Sequence, residues 1–481
     1  MYLYDKNNQD LKTVEHRDII IMYTCGPTVY GDAHIGNMRS FVVADMLRRW
    51  IESDLRTSNP PVVKHIMNIT DVGHLTEGDI QKDKMVMQAK SEGKTSTHEI
   101  AEFYKTRFIE DAKSVNIKVA IESEHDASVM PMATSYIQEM IDMIQSLIES
   151  GNAYVTPAGV FFSVSTFPRH GEVSGNKNLE GNVSGKGGRI SKKNMSIKND
   201  DEDFLLWKID PNHMMKWASP WGEGYPGWHI ECSAMAVANG HSDKTGIIDI
   251  HTGGEDNAFP HHEAENAQSC CSFDSDPDTT VFARHWLHVS HLHLHDQKMS
   301  KSSGNFVRIK SFIDDGASPE SIRLYLLSTH YRKNLSFSGI KSFVPFGKMI
   351  EKWRVAERAI VTSSGFIREF KSAMDKDLNV AEAIGAINKY INQIDENTWN
   401  KIETVFGIDG LEEKWVERDL FDYRNIDDDK IDQVERLILI RHEAKVDKRY
   451  DDSDKARDEL LDMGIIIEDA PNKRYLAYSQ I

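Results

Sequence analysis

The sequence contains few cysteines, and their spacing makes a poor disulfide framework. Only four occur in 481 residues, at positions 25, 232, 270 and 271. Two are far apart and two are adjacent, unlike the regularly spaced cysteines that form the disulfide bonds of small secreted domains. We therefore expect free thiols in a reducing compartment, where isolated cysteines serve as core residues, metal ligands or nucleophiles.

Long hydrophobic runs are also missing. No apolar stretch approaches the roughly 18 residues that a membrane-spanning helix needs. The first residues, MYLYDKNNQDLK, are polar and lack the apolar centre of a signal peptide. We therefore expect a cytoplasmic protein with no membrane partner. Its 40% hydrophobic and 27% charged residues are typical of a globular chain, and its length suggests about two to four domains.

The sequence has no excess of positive charge. Its formal net charge of −18 argues against a protein that coats nucleic acid indiscriminately. A local basic groove remains compatible with that total. The most basic stretch, residues 174–200, is rich in Gly, Asn, Ser and Lys and predicts a surface loop or linker. A solvated loop is a better interpretation of this stretch than a direct RNA contact.

Residues 18–50 predict a phosphate-binding arrangement. An apolar run, Ile19–Met22, suits a buried parallel strand that ends at the sequence Cys-Gly-Pro starting at Cys25. A loop then leads to His34 and Asn37, after which the apolar spacing indicates a helix. A strand followed by a loop and a helix N-terminus is the arrangement that receives phosphates.

Further strand ends carry polar or glycine residues suited to ligands. Residues 61–70 predict a strand that ends near Asn68, Thr70 and Asp71, and residues 247–256 predict another that ends at Gly253 and Gly254. Open α/β sheets bind ligands at such carboxyl ends, although an ordinary exit into a loop is an equal alternative for the first strand. Residues 286–296 alternate as a strand before a cationic loop, and the chain from 319 onward is predicted to be helical.

Two groups of residues are candidate metal ligands. Cys25, Cys232, His261 and Glu265 could form one zinc site, because zinc accepts thiolate, imidazole and carboxylate together. The alternatives are a phosphate or backbone contact for the histidine and a solvated helix charge for the glutamate. The second group alternates on one strand face, where an exposed polar surface is the better interpretation; it comprises His291, His293 and His295. The segment at 261–263 differs from the two-histidine helix of zinc proteases, which counts against a hydrolase.

Several motifs, taken in order, resemble those of the cysteinyl-tRNA synthetases, a family of class I aminoacyl-tRNA synthetases. The similarity runs from about Tyr23 to Pro471. The motifs are CGPTVYGDAHIGN, NITDV (68–72), GWHIECSAM (227–235), GGED followed by FPHHEAENAQ, KMSKSSGNF (298–306), HYRKNLSFS (330–338), AMDKDLN (373–379) and SDKARDELLDMGIIIEDAP (453–471). The chain departs from the family at Gly73-His74, in the histidine-rich stretch 291–295, and after Asp469.

The resemblance implies an α/β fold: a Rossmann-like parallel-sheet catalytic domain with an inserted connective subdomain, followed by all-α C-terminal domains. The implied boundaries are 1–120 for the first half of the catalytic domain, 121–202 for the insertion, 203–310 for the second half with the zinc site and lysine loop, 311–340 for a stem-contact region, 341–405 for a tRNA-binding helical bundle and 406–481 for a small anticodon-binding domain.

The resemblance also implies roles for individual residues. One zinc ion per chain would be held by Cys25, Cys232, His261 and Glu265, and would bind the substrate thiolate. The pocket for the amino acid would be lined by Cys25, Thr70, Trp228, Asp256 and His261, although a tryptophan in the core is the ordinary alternative for Trp228. Residues implied to bind ATP are His34, Gly36, Asn37, Gly253 and Lys301. Those implied to be catalytic are His34, Asn37, Lys298 and Lys301.

The implied reaction joins L-cysteine to tRNA(Cys) through a cysteinyl-adenylate, with ATP as the other reactant and Mg²⁺ as the cofactor that accompanies ATP. We expect a monomer. The nearest alternative is a cysteine–amine ligase of the mycothiol type. That family lacks the full helical anticodon region, which the sequence of residues 340–481 predicts here. An inactive tRNA-binding paralogue is a further alternative, but it should have lost zinc or lysine-loop residues, and none is lost. A zinc hydrolase is the most distant alternative.

Overall fold

The structure is a computed structural model whose described residues cover most of the chain. No helix within those residues has the length and apolar character to cross a bilayer. The described parts are residues 1–72, 97–175, 198–240, 247–272, 279–294, 297–298, 307–409, 421–424, 431–446, 450–463, 465–470 and 474–479.

The strands and helices are numbered here in chain order. The strands are β1 (Tyr2–Asp5), β2 (Asp10–Thr13), β3 (Ile19–Thr24), β4 (Val62–Met67), β5 (Ala153–Thr156), β6 (Gly159–Phe162), β7 (Phe204–Ile209), β8 (Gly224–Pro226), β9 (Ile248–Gly254), β10 (Ala283–Val289), β11 (Leu292–Leu294), β12 (Gln297–Lys298), β13 (Leu335–Phe337), β14 (Phe421–Arg424), β15 (Ile465–Ala470) and β16 (Arg474–Ser479). The α-helices of four or more residues are α1 (Ile35–Ile51), α2 (Thr97–Ser114), α3 (Lys118–Glu122), α4 (Ile137–Glu149), α5 (Trp228–Asn239), α6 (Glu263–Ser272), α7 (Ile309–Asp314), α8 (Pro319–Leu327), α9 (Val344–Arg354), α10 (Ser364–Asp375), α11 (Val380–Tyr390), α12 (Glu396–Phe406), α13 (Ile431–Val446) and α14 (Tyr450–Asp462).

A four-stranded parallel sheet organises the first compact unit, residues Met1–Phe346 with Ile350–Ile408. The strand order is β10-β9-β3-β4, so β3 is an inner strand with β4 on one side and β9 on the other. Its register aligns Met22 with His65 of β4 and with Ile250 of β9. Parallel strands need covering on both faces, which explains why β3 is nearly continuous in apolar residues. The predicted α/β fold with a parallel sheet is therefore confirmed.

The segment between the two halves of this sheet forms an antiparallel sheet of its own. Strands β5, β6, β7 and β8 follow one another in space as in sequence. The amino-acid pattern of residues 153–167, which follow Gly151, predicts a hairpin. The first pair forms it, and Ala153 pairs with Phe162. Helix α4 carries an apolar stripe that includes Met140 and Ile144, which pack in one core with residues of α5 and the parallel sheet.

The predicted strand over 286–296 is divided in the structure. Strand β10 completes the parallel sheet, whereas β11 pairs with β13 in a separate sheet. The break falls at Ser290 and His291, whose backbone groups bond outside both strands: Ser290 N–H donates to Tyr331 O (2.8 Å), and Leu335 N–H donates to His291 O (3.0 Å). Alternation of side chains persists through the break, which is why periodicity alone predicts one strand.

The second compact unit comprises Gly347–Met349 and Asp409–Ile481. It corrects the prediction that the C-terminal domains are all-α. Besides α13 and α14, it contains a three-stranded sheet in the order β14-β16-β15. Its small core includes Val434 and Leu460 from the helices and Ile465 from β15. The three consecutive isoleucines that begin β15 are β-branched residues, which favour a strand over a helix end.

Helix α1 is anchored through buried charges near its C-terminal half. Asp45 is fully buried and accepts hydrogen bonds from Arg49 (Nε, 2.7 Å), from Arg323 of α8, and from the backbone N–H of Lys118 (2.8 Å). Arg323 is equally buried and also donates to Val115 O (2.9 Å) and to Phe406 O at the end of α12. This cluster therefore ties α1 to three other segments of the first unit.

Asp45→Asn should destabilise the first unit strongly, because it leaves two buried guanidinium groups without their carboxylate. Removing one partner of a buried ion pair costs about 3–5 kcal/mol of unfolding free energy. Burial raises the pKa of Asp45, but Arg49 and Arg323 outweigh it and hold the pKa well below its ordinary value. The stabilisation is therefore present above the unfolded pKa of about 4 and is lost as the pH falls.

Urea denaturation at neutral pH measures the change. The matched control is Asp314→Asn, which removes the exposed partner of Lys310 (2.8 Å) and should change stability by less than about 0.5 kcal/mol. Equal losses in the two variants would contradict the anchoring role of Asp45.

Candidate metal and nucleotide site

A cavity of about 390 Å³ opens at the carboxyl ends of β3, β4 and β9. This is the edge of the sheet where the sequence predicts ligand-binding residues. Its wall combines thiols, imidazoles, hydroxyls and a helix N-terminus. The lining residues include Cys25, Thr70, Trp228, Cys232, Asp256 and His261, then His34, Gly36 and Asn37 at the start of α1, and Ser290, His291 and Leu292. His291 Nε2 lies 3.3 Å from Asp256 Oδ1.

Hydrogen bonds between neighbouring strands fix where β3 ends. The hydroxyl of Thr24 lies 2.8 Å from His65 Nε2 of β4 and 2.7 Å from Thr252 Oγ1 of β9. The next residue, Cys25, donates its backbone N–H to Thr252 O (3.0 Å). The backbone at Cys25 therefore follows a strand end that is bonded to both neighbouring strands.

The loop after Cys25 is held against the loop after β4. Gly26 N–H donates to Asn68 Oδ1 (2.9 Å), Thr70 N–H donates to Pro27 O (3.0 Å) and Val29 N–H donates to Thr70 O (3.1 Å). A side chain at position 26 would not fit, because a Cβ atom there would lie 1.7 Å from Asn68 O. Close approach of two backbones thus requires glycine at this position.

The four predicted metal ligands converge behind this loop. Their ligand atoms all lie within 4.8 Å of one another, and all four residues are buried. Cys25 Sγ is 3.9 Å from Cys232 Sγ and 3.4 Å from Glu265 Oε1, and His261 Nε2 is 3.0 Å from the same carboxylate oxygen. Cys232 comes from α5, and Glu265 from the first turn of α6. His261 lies in a short π-helical turn, Ala258–His262, that leads directly into α6.

Two further histidines orient these ligands, and sequence reasoning did not single them out. His251 of β9 donates from Nε2 to Glu265 Oε2 (2.8 Å), which leaves the other carboxylate oxygen toward the thiols. His229 Nδ1 lies 2.8 Å from His261 Nδ1, so that Nε2 of His261 faces the cluster. Partners of this kind set the orientation of metal ligands. His229 lies in the GWHIECSAM motif, whereas only the fold brings His251 to Glu265.

The electrostatics of the cluster favour a bound cation. Burial, together with Cys232 and Glu265, raises the pKa of the Cys25 thiol well above its ordinary value. Two thiols and a carboxylate in one buried site cannot all ionise unless positive charge compensates them. A tetrahedral zinc ion separates two coordinating sulfurs by about 3.8 Å, which matches the 3.9 Å between Cys25 and Cys232. The donor set therefore fits a thiophilic divalent ion.

A second set of possible ligands overlaps the first. It shares Cys25 and Glu265 but replaces the other two residues by His251 and His262. His262 Nδ1 is 2.9 Å from His288 Nε2, which places it in a histidine cluster beneath the cavity. Only the first set includes Cys232 and His261, which line the cavity together with Cys25. That set is therefore the one that a substrate could reach.

The opposite end of the cavity is the N-terminus of α1. His34 is the N-cap: its Nδ1 accepts the backbone N–H of Asn37 (3.1 Å), and Asn37 Oδ1 accepts the backbone N–H of His34 (3.2 Å). A neutral ring whose Nδ1 accepts a hydrogen bond carries its proton on Nε2, which is then a donor. The positive end of the helix dipole adds to this donor character. These residues therefore suit an anionic ligand such as a phosphate.

The structure places the other predicted residues as follows. Thr70, Trp228 and Asp256 line the cavity, and the Trp228 ring stacks on His261 with centroids 4.2 Å apart. Gly36 also lines it. Gly253 instead packs against His262, since a Cβ there would lie 2.8 Å from that ring, and Gly254 lines the cavity in its place.

The lysines and the histidine stretch are only partly described. The backbone of Lys298 belongs to β12, and Lys301 lies outside the described residues, as do Gly73, His74, His295 and 176–197 of the basic stretch. The rings of His291 and His293 stack 6.3 Å apart, and His291 Nε2 lies 3.3 Å from Asp256 Oδ1. Among the residues that the structure describes, neither belongs to a group able to hold a metal.

Comparison with known proteins relates the whole chain to one family. Residues 11–342 match the family described as "tRNA synthetases class I (C) catalytic domain". The chain is 36% identical to Cysteine--tRNA ligase of Brachyspira hyodysenteriae, covering 94% of this chain and 93% of that one. It is 35% identical to Cysteine--tRNA ligase of Thermus thermophilus, covering 93% and 92%.

A solved structure supports the fold. The methionyl-tRNA synthetase of Mycobacterium tuberculosis in complex with methionyl-adenylate aligns with a TM-score of 0.52 at 13% identity, covering 81% of this chain and 88% of that one. At this identity the likeness concerns the fold alone, which is that of the class I synthetases.

Gly26→Ala should disrupt the metal cluster, because the new methyl group would collide with Asn68 O at the carboxyl end of β4. The displacement would carry Cys25 away from its partners, and misplacement by about 1 Å can cost on the order of 100-fold in the function of a site. Zinc retained after gel filtration, measured by atomic absorption, should fall below one ion per chain.

Gly385→Ala is the matched control. No atom lies within 4 Å of a Cβ built at this helical position, and alanine should stabilise the helix by about 0.5–1 kcal/mol. Full zinc retention in Gly26→Ala would show that the approach of the two loops does not position Cys25.

Proposed function

Because the chain belongs to the cysteine--tRNA ligase family of class I aminoacyl-tRNA synthetases, we propose that it activates L-cysteine with ATP and transfers the cysteinyl group to tRNA(Cys). The observation that carries this proposal is the convergence of four buried metal ligands, two of them thiols, at one end of a cavity that is also lined by a helix N-terminus. One end suits a thiol, and the other suits phosphates.

The ligand end accounts for the choice of amino acid. Cys25, Cys232, His261 and Glu265 would hold one zinc ion, which supplies a soft Lewis acid that binds a thiolate in preference to a hydroxyl. An apolar pocket alone discriminates between near-isosteric substrates, such as cysteine and serine, by only about 100-fold in kcat/KM. Trp228, stacked on His261, would wall the side chain of the substrate, and Thr70 and Asp256 would contact the rest of the amino acid.

The helix end accounts for the nucleotide. The carboxylate of cysteine attacks the α-phosphate of ATP in line and pyrophosphate leaves, so no protein nucleophile is needed. His34 and Asn37 would stabilise the phosphates from the N-terminus of α1, with Gly36 permitting close approach. Lys298 and Lys301 would neutralise the pyrophosphate, with Mg²⁺ accompanying ATP. Catalysis then consists of positioning and charge stabilisation.

The rest of the chain would serve the tRNA. In this proposal residues 341–405 form the tRNA-binding helical bundle, and 406–481 form the anticodon-binding domain. The segment 121–202 is the connective insertion between the halves 1–120 and 203–310 of the catalytic domain, with 311–340 contacting the acceptor stem. A monomeric state and a cytoplasmic location remain predictions.

Cysteine-dependent exchange of pyrophosphate into ATP tests the first half of the reaction. We expect exchange with cysteine, and a kcat/KM for serine that is lower by more than about 100-fold. The preference of the metal for a thiolate should add to the discrimination that the shape of the pocket provides. Charging of purified tRNA(Cys) tests the second half. Exchange without charging would favour the cysteine–amine ligase, and absence of exchange in a zinc-loaded protein would favour the inactive paralogue.

Cys232→Ser should lose zinc and cysteine activation together, because a serine hydroxyl is a much poorer zinc ligand than a thiolate. The matched control is Cys270→Ser, another buried thiol that lies outside the cluster and contacts Thr280 O (3.3 Å). A hydroxyl can keep that contact, so zinc content and exchange should remain at the wild-type level. Full exchange activity in Cys232→Ser would remove the zinc-based selectivity from the proposal.

A further inference from the structure

Arg39 is a buried cation whose partners are all backbone carbonyl groups. It lies in the second turn of α1 and is fully buried. Among the described residues it forms no ion pair with a carboxylate. Burial lowers the pKa of Arg39 to about 10, so the guanidinium stays charged at neutral pH. Its two terminal nitrogens donate to the carbonyl oxygens of Ser290 (2.6 Å), His291 (3.1 Å), Thr329 (3.4 Å), His330 (3.3 Å) and Lys333 (2.9 Å).

These carbonyls come from two segments that meet beside the cavity. Ser290 and His291 form the connection between β10 and β11, and both line the cavity. Residues 329–333 precede β13, which pairs with β11. Nη1 of Arg39 contacts the first segment and Nη2 the second, so one planar group spans both. A lysine ammonium, as a single point of charge, cannot reproduce this geometry.

The same connection faces the first turn of α1. Leu292 Cβ lies 3.8 Å from a Cβ built on Gly36, so the wall formed by residues 290–292 approaches the helix closely. Farther along the chain, Ile35 N–H donates to Val307 O (3.0 Å). The width of the cavity at its helix end therefore depends on how residues 290–292 are held against α1.

An apolar residue would fill this position without the cost of burying a charge. A desolvated cation is expensive unless it is well hydrogen-bonded. Here five carbonyls compensate the two terminal nitrogens, whereas Nε has no hydrogen-bond partner among the described residues. Apolar contacts allow neighbouring segments to slide, whereas charge-assisted hydrogen bonds are directional. An arginine at this position therefore costs more to bury than an apolar residue would, but it fixes the geometry of the two segments that it contacts.

We propose that Arg39 is a positioning residue that holds the Ser290–Leu292 wall at a set distance from His34 and Asn37, and so shapes the nucleotide end of the cavity. This inference rests on the proposed function for its link to ATP. Arg39 touches no reacting atom in this account. Its loss should affect ATP most and leave the metal cluster intact, because Cys25, Cys232, His261 and Glu265 come from other segments.

The test compares Arg39→Lys and Arg39→Met with a matched variant, Arg48→Met. Arg48 is a buried arginine on the same helix that pairs with Glu122 (2.6 Å) away from the cavity. For both Arg39 variants we expect kcat/KM for ATP in the exchange reaction to fall roughly 10- to 100-fold, as for a misplaced site. The zinc content should not change, and the KM for cysteine should change less than the KM for ATP, since only His291 of this wall contacts the amino-acid pocket, at Asp256 (3.3 Å). Arg48→Met should lower the melting temperature and keep wild-type ATP kinetics.

Arg39→Lys retains the charge and much of the volume, so it remains informative if Arg39→Met does not fold. ATP kinetics in Arg39→Lys equal to those of Arg48→Met would overturn the inference, and so would an equal rise in KM for both substrates.

Affinity for a non-hydrolysable ATP analogue, measured by calorimetry, separates the two proposals. If the wild-type protein binds the analogue but gives no cysteine-dependent exchange, the proposed function fails. Weaker analogue binding in Arg39→Lys would still support the positioning role, and unchanged binding would overturn it.

Discussion

The hydroxyl group of Thr24 bonds to both strands that flank β3, at 2.8 Å to His65 and 2.7 Å to Thr252. These contacts fix the residue at which β3 ends, and Cys25 follows it directly. A slip of one residue would turn Cys25 to the opposite face of the sheet, away from α5 and α6. The same strand end also determines where the loop to His34 starts. The two ends of the cavity therefore depend on one register.

Helix α1 is held by directional contacts along its length. Asp45 joins it to Arg323 and Arg49 near the C-terminal half, and Arg39 joins it to backbone carbonyls near the N-terminus. Apolar side chains cover the rest of the helix, including Trp50. Packing supplies most of the stability of such a helix, but it tolerates small shifts. The charged contacts restrict those shifts, which matters because the N-terminus of α1 lines the cavity, where we propose that the nucleotide binds.

Local patterns in the sequence were enough to predict β3, α1 and the hairpin of β5 and β6, because periodicity and turn residues report on neighbouring positions. They could not join Cys25 to Cys232, since the two are 207 residues apart and carry no short metal motif; family motifs supplied that pairing. His251 was missed because its contact with Glu265 depends on the order of strands. The sheet of the second unit was missed because short apolar runs do not distinguish a strand from a helix end.

The charged side chains that line the cavity limit the ways in which it could select a thiol substrate. Among the described residues that line it, there is no lysine or arginine, so no described side chain offers a permanent cation to the buried thiols and carboxylate. A lysine there would attract any anion, including the carboxylate of every amino acid. A soft metal ion supplies positive charge and also discriminates by ligand type. An ion pair with a basic side chain would also compete for these ligands, so the described lining is compatible with the metal-based selection of a thiol that we propose.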